Sequence, residues 1–168
     1  MHPQVIFTMM EIMEVKPFIT EEKMATLAQT VEAGLRECAF DNHSTLHPRR
    51  LAEIGARQVE LYDAFLRSRE PDGILAEARA LAEEGLGERT VIRITSTLSL
   101  FWVEQLARDP DLLREAASAT HEYTSLLLEG FMAGREALIL KEQERTRLAL
   151  AAAQESQKRE RTAGDKDA

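Results

Sequence analysis

The chain holds 168 residues, 44% of them hydrophobic and 30% charged, with a formal net charge of −8 from 29 acidic and 21 basic side chains. That length suits one domain with a sizeable core, and an acidic chain repels phosphate, which argues against nucleic acid or an anionic membrane as partner. A single cysteine, Cys38, excludes an intramolecular disulfide and fits a reducing cytoplasm.

The start, MHPQVIFTMMEIMEVKPF, is apolar, yet it lacks the basic opening of a secretory signal, and Glu11 and Glu14 interrupt it. No stretch approaches the ~20 apolar residues of a membrane span. The spacing predicts a short amphipathic helix over 4–15, using Val5, Met9, Ile12 and Met13 and ended by Pro17. Thr20 is the expected N-cap of the next helix, with Glu21 and Glu22 where the helix dipole favours negative charge. Met24, Leu27, Val31, Leu35 and Cys38 form its apolar face. After the loop FDNHSTLHP, a helix is predicted from Pro48 to about Ser68, facing inward with Leu51, Ile54, Val59, Tyr62, Phe65 and Leu66. REPDG makes a turn. Ile74, Leu75, Ala78, Leu81 and Ala82 then mark a short helix closed by Gly85 or Gly87.

From Arg89 to Ala107 the apolar residues cover most of the helix circumference, which predicts a central core helix. Asp109 and Pro110 restart the chain as N-cap and first helical residue. No proline follows, so one helix is expected from 110 to about 155, on the order of 65 Å long, its last third projecting beyond the fold. The end, 156–168, has no apolar residue larger than alanine and is expected to be disordered. Leu127, Phe131, Gly134 and Leu138, then Lys141, Arg145, Leu148 and Ala152, step by four and three, the rhythm of a coiled coil. Leu127, Phe131, Gly134 and Leu138 are therefore the expected seam of a parallel homodimer, with Gly130 and Gly134 admitting another backbone closely. The alternative is a solvated helix braced by Glu142 with Arg145 and Glu144 with Arg147.

Chemistry is sparse. Cys38, Asp41, His43 and His47 are zinc-ligand types within ten residues, but their spacing matches no standard site, and a loop of capping residues is the expected role. His121 on the long helix raises the thought of haem, although such a histidine is more often a surface residue. No phosphate loop, dinucleotide fingerprint, nucleophile elbow or H-E-x-x-H occurs. The chain is expected to be no enzyme, to hold no metal and to need no cofactor. Phe65, Leu98, Phe101, Trp102, Tyr123 and Leu127 gather aromatic and aliphatic bulk that either fills the core or walls a small-molecule pocket.

LLLEGFMAGREALILKEQERTRLAL, preceded in order by HPRRLAEIGARQVELYDAFLRS, ALAEEGLGERTVIRITSTL and ATHEYTSLLLEGFMAGRE, resembles the N-terminal sensory domain of RsbR-type stressosome proteins. The resemblance covers about residues 45–152. It implies an all-α, globin-like bundle without haem that dimerises, and whose last helix leads toward a STAS domain or a kinase. Against that pattern the sequence stops where the output domain would begin, so the protein is expected to act in trans on a separate STAS protein or kinase, to work as a stand-alone sensor or adaptor, or to have lost its output. The resulting division is an N-terminal amphipathic segment (1–19), a globin-like helical sensor domain (20–140), a helical linker or coiled-coil extension (141–155) and the tail (156–168). Two other functions remain open at this stage: a globin-like protein binding haem or another small molecule, and an adaptor docking through its charged last helix.

Overall fold

The computed structural model describes residues 18–164, with side chains through 159. The helix expected over 4–15 lies outside the described residues. Five α-helices follow in order: α1 (Glu21–Glu37), α2 (Pro48–Ser68), α3 (Asp72–Glu83), α4 (Glu88–Leu106) and α5 (Pro110–Gly164), with one 3-10 turn at Ala39–Asp41. There is no strand among the described residues, so the fold is all-α with a long C-terminal helix. None of these helices is long and apolar enough to cross a membrane.

Asp109 caps its helix as expected, His47 caps one unexpectedly, and Thr20 does not cap. Asp109 Oδ1 accepts the Leu112 N–H at 3.0 Å, capping α5, and His47 Nδ1 accepts the Arg49 N–H at 3.2 Å ahead of Pro48. Thr20 precedes α1 in extended backbone, but its side chain makes no capping bond. Gly85 ends α3 in the left-handed region at φ 85°, while Gly87 opens α4, so the two glycines divide the roles left open between them. The Leu86 N–H reaches back to the Leu81 carbonyl at 3.1 Å, closing the turn.

The packing pairs are α1 with α2 and α4, and α5 with α3 and α4, joined by a smaller contact of α2 with α5. Ile19, Leu35, Ile54, Tyr62, Phe65 and Leu66 meet Ile74, Leu81, Leu86, Ile94, Tyr123 and Phe131 in one continuous core. Removing a large apolar side chain from water contributes about 1.5–3 kcal/mol, so this cluster outweighs any surface ion pair.

Two expectations change. The helix α4 is not the centre of the bundle. It buries Val91, Ile94, Leu98 and Trp102, but Ile92, Leu100 and Val103 stand 51%, 60% and 54% exposed. Its apolar residues encircle it because one arc serves the core while two others line grooves against α1 and α5. The last helix also continues past 155 to Gly164, so the expected tail is helical over 156–164. Alanine, glutamine, glutamate, lysine and arginine in this stretch are strong helix formers, and no glycine or proline intervenes before Gly164.

Candidate functional site

The six residues expected to wall a pocket divide. Phe65, Leu98, Tyr123 and Leu127 are buried in the core cluster, and Trp102 is nearly so. Phe65 and Tyr123 pack at 5.8 Å between ring centroids, and Tyr62 meets Tyr123 edge-on at 4.9 Å. Phe101 is only partly buried and faces the groove between α1 and α4. Trp102 lines a different groove, between α4 and α5. These side chains fill space against one another, and the grooves are walled mostly by other residues.

Sequence reading did not anticipate the polar chain within this core. The Trp102 indole N–H donates to the Tyr62 hydroxyl at 2.5 Å, and Tyr62 is bonded to Thr120 Oγ1. Since the Thr120 hydroxyl donates to the Ala116 carbonyl at 2.7 Å, the Tyr62 proton must point toward Thr120. The chain therefore has one direction: indole to phenol to threonine to backbone. Tyr123 donates to Gln58 Oε1 at 3.2 Å, but Gln58 Nε2 is buried without a partner. Burial pushes both phenols above their ordinary pKa, and Glu77 adds to the effect at Tyr123. Both hydroxyls thus stay protonated at neutral pH, as donors. The signal for this network lay in the two tyrosines on helical faces, but which residue each would reach depends on how α2, α4 and α5 cross.

The expected zinc-type residues do other work. Asn42 Oδ1 accepts from the Gly87 N–H at 2.9 Å and from Thr90 Oγ1 at 2.7 Å, while Asp41 pairs with Arg89 at 3.4 Å. The His43 N–H bonds to the Gly85 carbonyl at 2.7 Å, and Ser44 bonds to the Glu84 carbonyl. The loop is a clasp on the α3–α4 corner. Among the described residues no group of three or more His, Cys, Asp or Glu is arranged to hold a metal ion. His121 is exposed at the groove between α4 and α5, whose volume of about 300 Å³ is at the low end for small-molecule sites. The groove between α1 and α4 is larger, about 530 Å³, with Arg93 and Glu37 paired at 2.7 Å at one end and Lys23 bonded to Gln105 at the other.

The expected dimer seam is a correction. Leu127 and Phe131 have no exposed surface within the single chain, and Gly130 and Gly134 are buried beside them. A Cβ on Gly130 would lie 2.8 Å from both the Leu75 carbonyl oxygen and Ala78 Cβ; on Gly134 it would lie 2.9 Å from Ala82 Cβ. The close backbone that these glycines admit is α3 of the same chain, presenting Ala78 and Ala82 one turn apart. Leu138 is half-buried at the edge of this contact. At about 3.6 residues per turn, Lys141, Arg145, Leu148 and Ala152 continue that inward face past the end of the domain. The heptad rhythm was real, but its first half is core.

Fold and site together define an all-α helical bundle whose last helix runs from the core into open solvent. Comparison with family models, with curated proteins and with solved structures returned no match to this chain.

Proposed function

We propose that the protein is a non-catalytic sensor or scaffold of bacterial stress signalling, acting in the cytoplasm as a parallel homodimer with a globin-like sensor domain. One observation carries the reading: α5 is a single unbroken element whose first half is core and whose residues from 139 to 159 are all exposed. Ala116, Tyr123, Leu127 and Phe131 are fully buried, whereas Ile139 and every described residue after it is exposed. A change in packing around Tyr123 or Phe131 shifts the axis of a rigid rod, and the rod carries that shift outward. This is population shift between two packings, driven by whatever binds one better. The likeness of EGFMAGRE and ILKEQER to RsbR-type sensory domains supports the stress-signalling role and makes a STAS protein or kinase the partner in this proposal.

Gel filtration of the purified chain with a STAS-domain stressosome protein from the same cell tests it. Full-length protein should co-elute with the STAS protein, and a chain cut after Leu140 should elute alone. Equal co-elution of both forms would remove the extension from the mechanism. A second reading, binding of a small apolar molecule, draws on the groove between α1 and α4. Native mass spectrometry of untreated protein separates the two, since a retained ligand adds mass.

A further inference from the structure

One groove on the surface carries no charged side chain. Ten residues line the groove between α4 and α5, and none is Asp, Glu, Lys or Arg, although 30% of the chain is charged and about three would be expected. On α4 the exposed arc is Ile92, Ser96, Ser99 and Val103. On α5 the same side runs through Ala117, His121, Thr124, Leu128 and Met132, is interrupted once by the half-buried Arg135, and resumes at Ile139. It then continues onto the extension as Gln143, Thr146, Leu150, Ala153 and Gln157, in steps of four and three with no charged residue. Met132, Ile139 and Leu150 on this stripe are each more than half exposed. The stripe lies roughly a third of a turn from the face that α5 presents to α3. It is about 60 Å long from Ala117 to Gln157.

We infer that a second copy of this chain docks on this stripe, α5 alongside α5 in parallel and in register, with α4 of each copy flanking the domain end. The inference rests on the homodimer reading above and assigns the face and register that reading leaves open. Three features favour a second copy over another occupant. A rod about 60 Å long is covered along its length only by another rod, and this chain supplies one of identical length and pattern. If Ile139, Thr146 and Ala153 take the d positions and Gln143, Leu150 and Gln157 the a positions, Glu142 falls at g and Arg147 at e. In a parallel pair, Glu142 of one copy then faces Arg147 of the other, an attractive contact made twice by symmetry. Within its own helix Arg147 pairs with Glu144 at 2.8 Å. A strip about 60 Å by 10 Å removes about 600 Å² per copy, or about 1,200 Å² in all, the lower bound for a specific interface. Gln143 and Thr146 make the seam partly polar, which specifies register at some loss of affinity.

Cysteine cross-linking and sedimentation test the face. With Cys38 replaced by serine, Gln143→Cys should form a disulfide-linked dimer under mild oxidation, and Arg145→Cys, on the continuation of the inward face, should not. The double variant Ile139→Asp, Leu150→Asp should weaken self-association by at least about tenfold, whereas Leu148→Asp, equally exposed on another side, should leave it unchanged. Circular dichroism should show the same helix content in all of them. A dimer that cross-links through position 145 and tolerates both aspartates would overturn the assigned face while leaving the homodimer intact. A monomeric wild-type chain would overturn the homodimer reading and this inference with it.

Discussion

Arg69 is the one non-glycine residue with positive φ among the described residues, at 60°, where it ends α2 in the left-handed region. A side chain there costs about 1 kcal/mol relative to glycine. Arg69 is held by its other contacts: Nη groups 3.3 Å from Glu115 and 3.2 Å from Glu122 on α5, and a guanidinium 5.5 Å above the Phe65 ring. The two ion pairs are partly exposed, so each contributes little in water. Arg69→Ala loses the contacts and keeps the strain, while Arg69→Gly loses the contacts and releases it. Urea unfolding should therefore find the glycine variant about 1 kcal/mol more stable than the alanine variant, and a reversed order would show that the turn is unstrained. The buried phenols make a second prediction. Burial raises the folded pKa of Tyr62 and Tyr123 above the ordinary tyrosine value of about 10. Above about pH 10 the unfolded chain releases these protons and the folded chain retains them, so stability present below that pH is lost as pH rises further. Each tyrosine contributes a slope of up to about 1.4 kcal/mol per pH unit. Denaturation midpoints measured from pH 9 to 11 should fall, and Tyr123→Phe should reduce the fall.

Among elements, the contact of α3 with α5 decides where the long helix sits. Gly130 and Gly134 face Ala78 and Ala82, and no side chain larger than alanine intervenes. A leucine at position 134 would bring its Cβ within 2.9 Å of Ala82 Cβ and 3.1 Å of Arg79 Cα, with the rest of the side chain still to be placed. Overpacking of this kind costs about 1–3 kcal/mol, so Gly134→Leu should lower the melting temperature by several degrees, read by circular dichroism. If the glycine instead belonged to a seam between copies, the same substitution would change self-association and spare the isolated domain. The helix α4 teaches the complementary lesson. Its circumference of apolar residues predicted a buried centre, but an apolar residue can line a groove as readily as a core. Thr95, Ser96, Thr97 and Ser99 each bond back to a carbonyl three or four residues earlier, so their polar atoms are satisfied without solvent. That leaves the Ser96 and Ser99 side of α4 neutral, while Arg93 and Glu104 charge the side toward α1.

At the scale of the whole molecule, a helix of 55 residues is about 80 Å long, far more than the bundle needs. Small-angle scattering should give a maximum dimension of at least that order. Removing everything after Leu140 should shorten α5 by about 35 Å, since 24 of its residues lie beyond that point. An unchanged dimension after truncation would mean that the extension folds back onto the bundle.

Local chemistry alone determined the all-α class, the positions of the helix breaks and most of the buried residues. Apolar spacing, capping side chains, prolines and glycines act within a few residues of one another, and the sequence displays them directly. Asp109 before Pro110 and the glycines after Glu83 are cases in point. Which partner a given apolar face would choose was decided only by tertiary packing. Leu127, Phe131 and Gly134 have the spacing of a dimer seam and of a core ridge equally, and only the small pair Ala78 and Ala82 on α3 made them core. The direction of the proton chain from Trp102 through Tyr62 to Thr120, and the neutral stripe formed by α4 beside α5, join residues up to 58 positions apart. Such groups meet only once the helices cross, because hydrogen bonds and exclusion of water depend on distance in space, which periodicity along one helix does not encode.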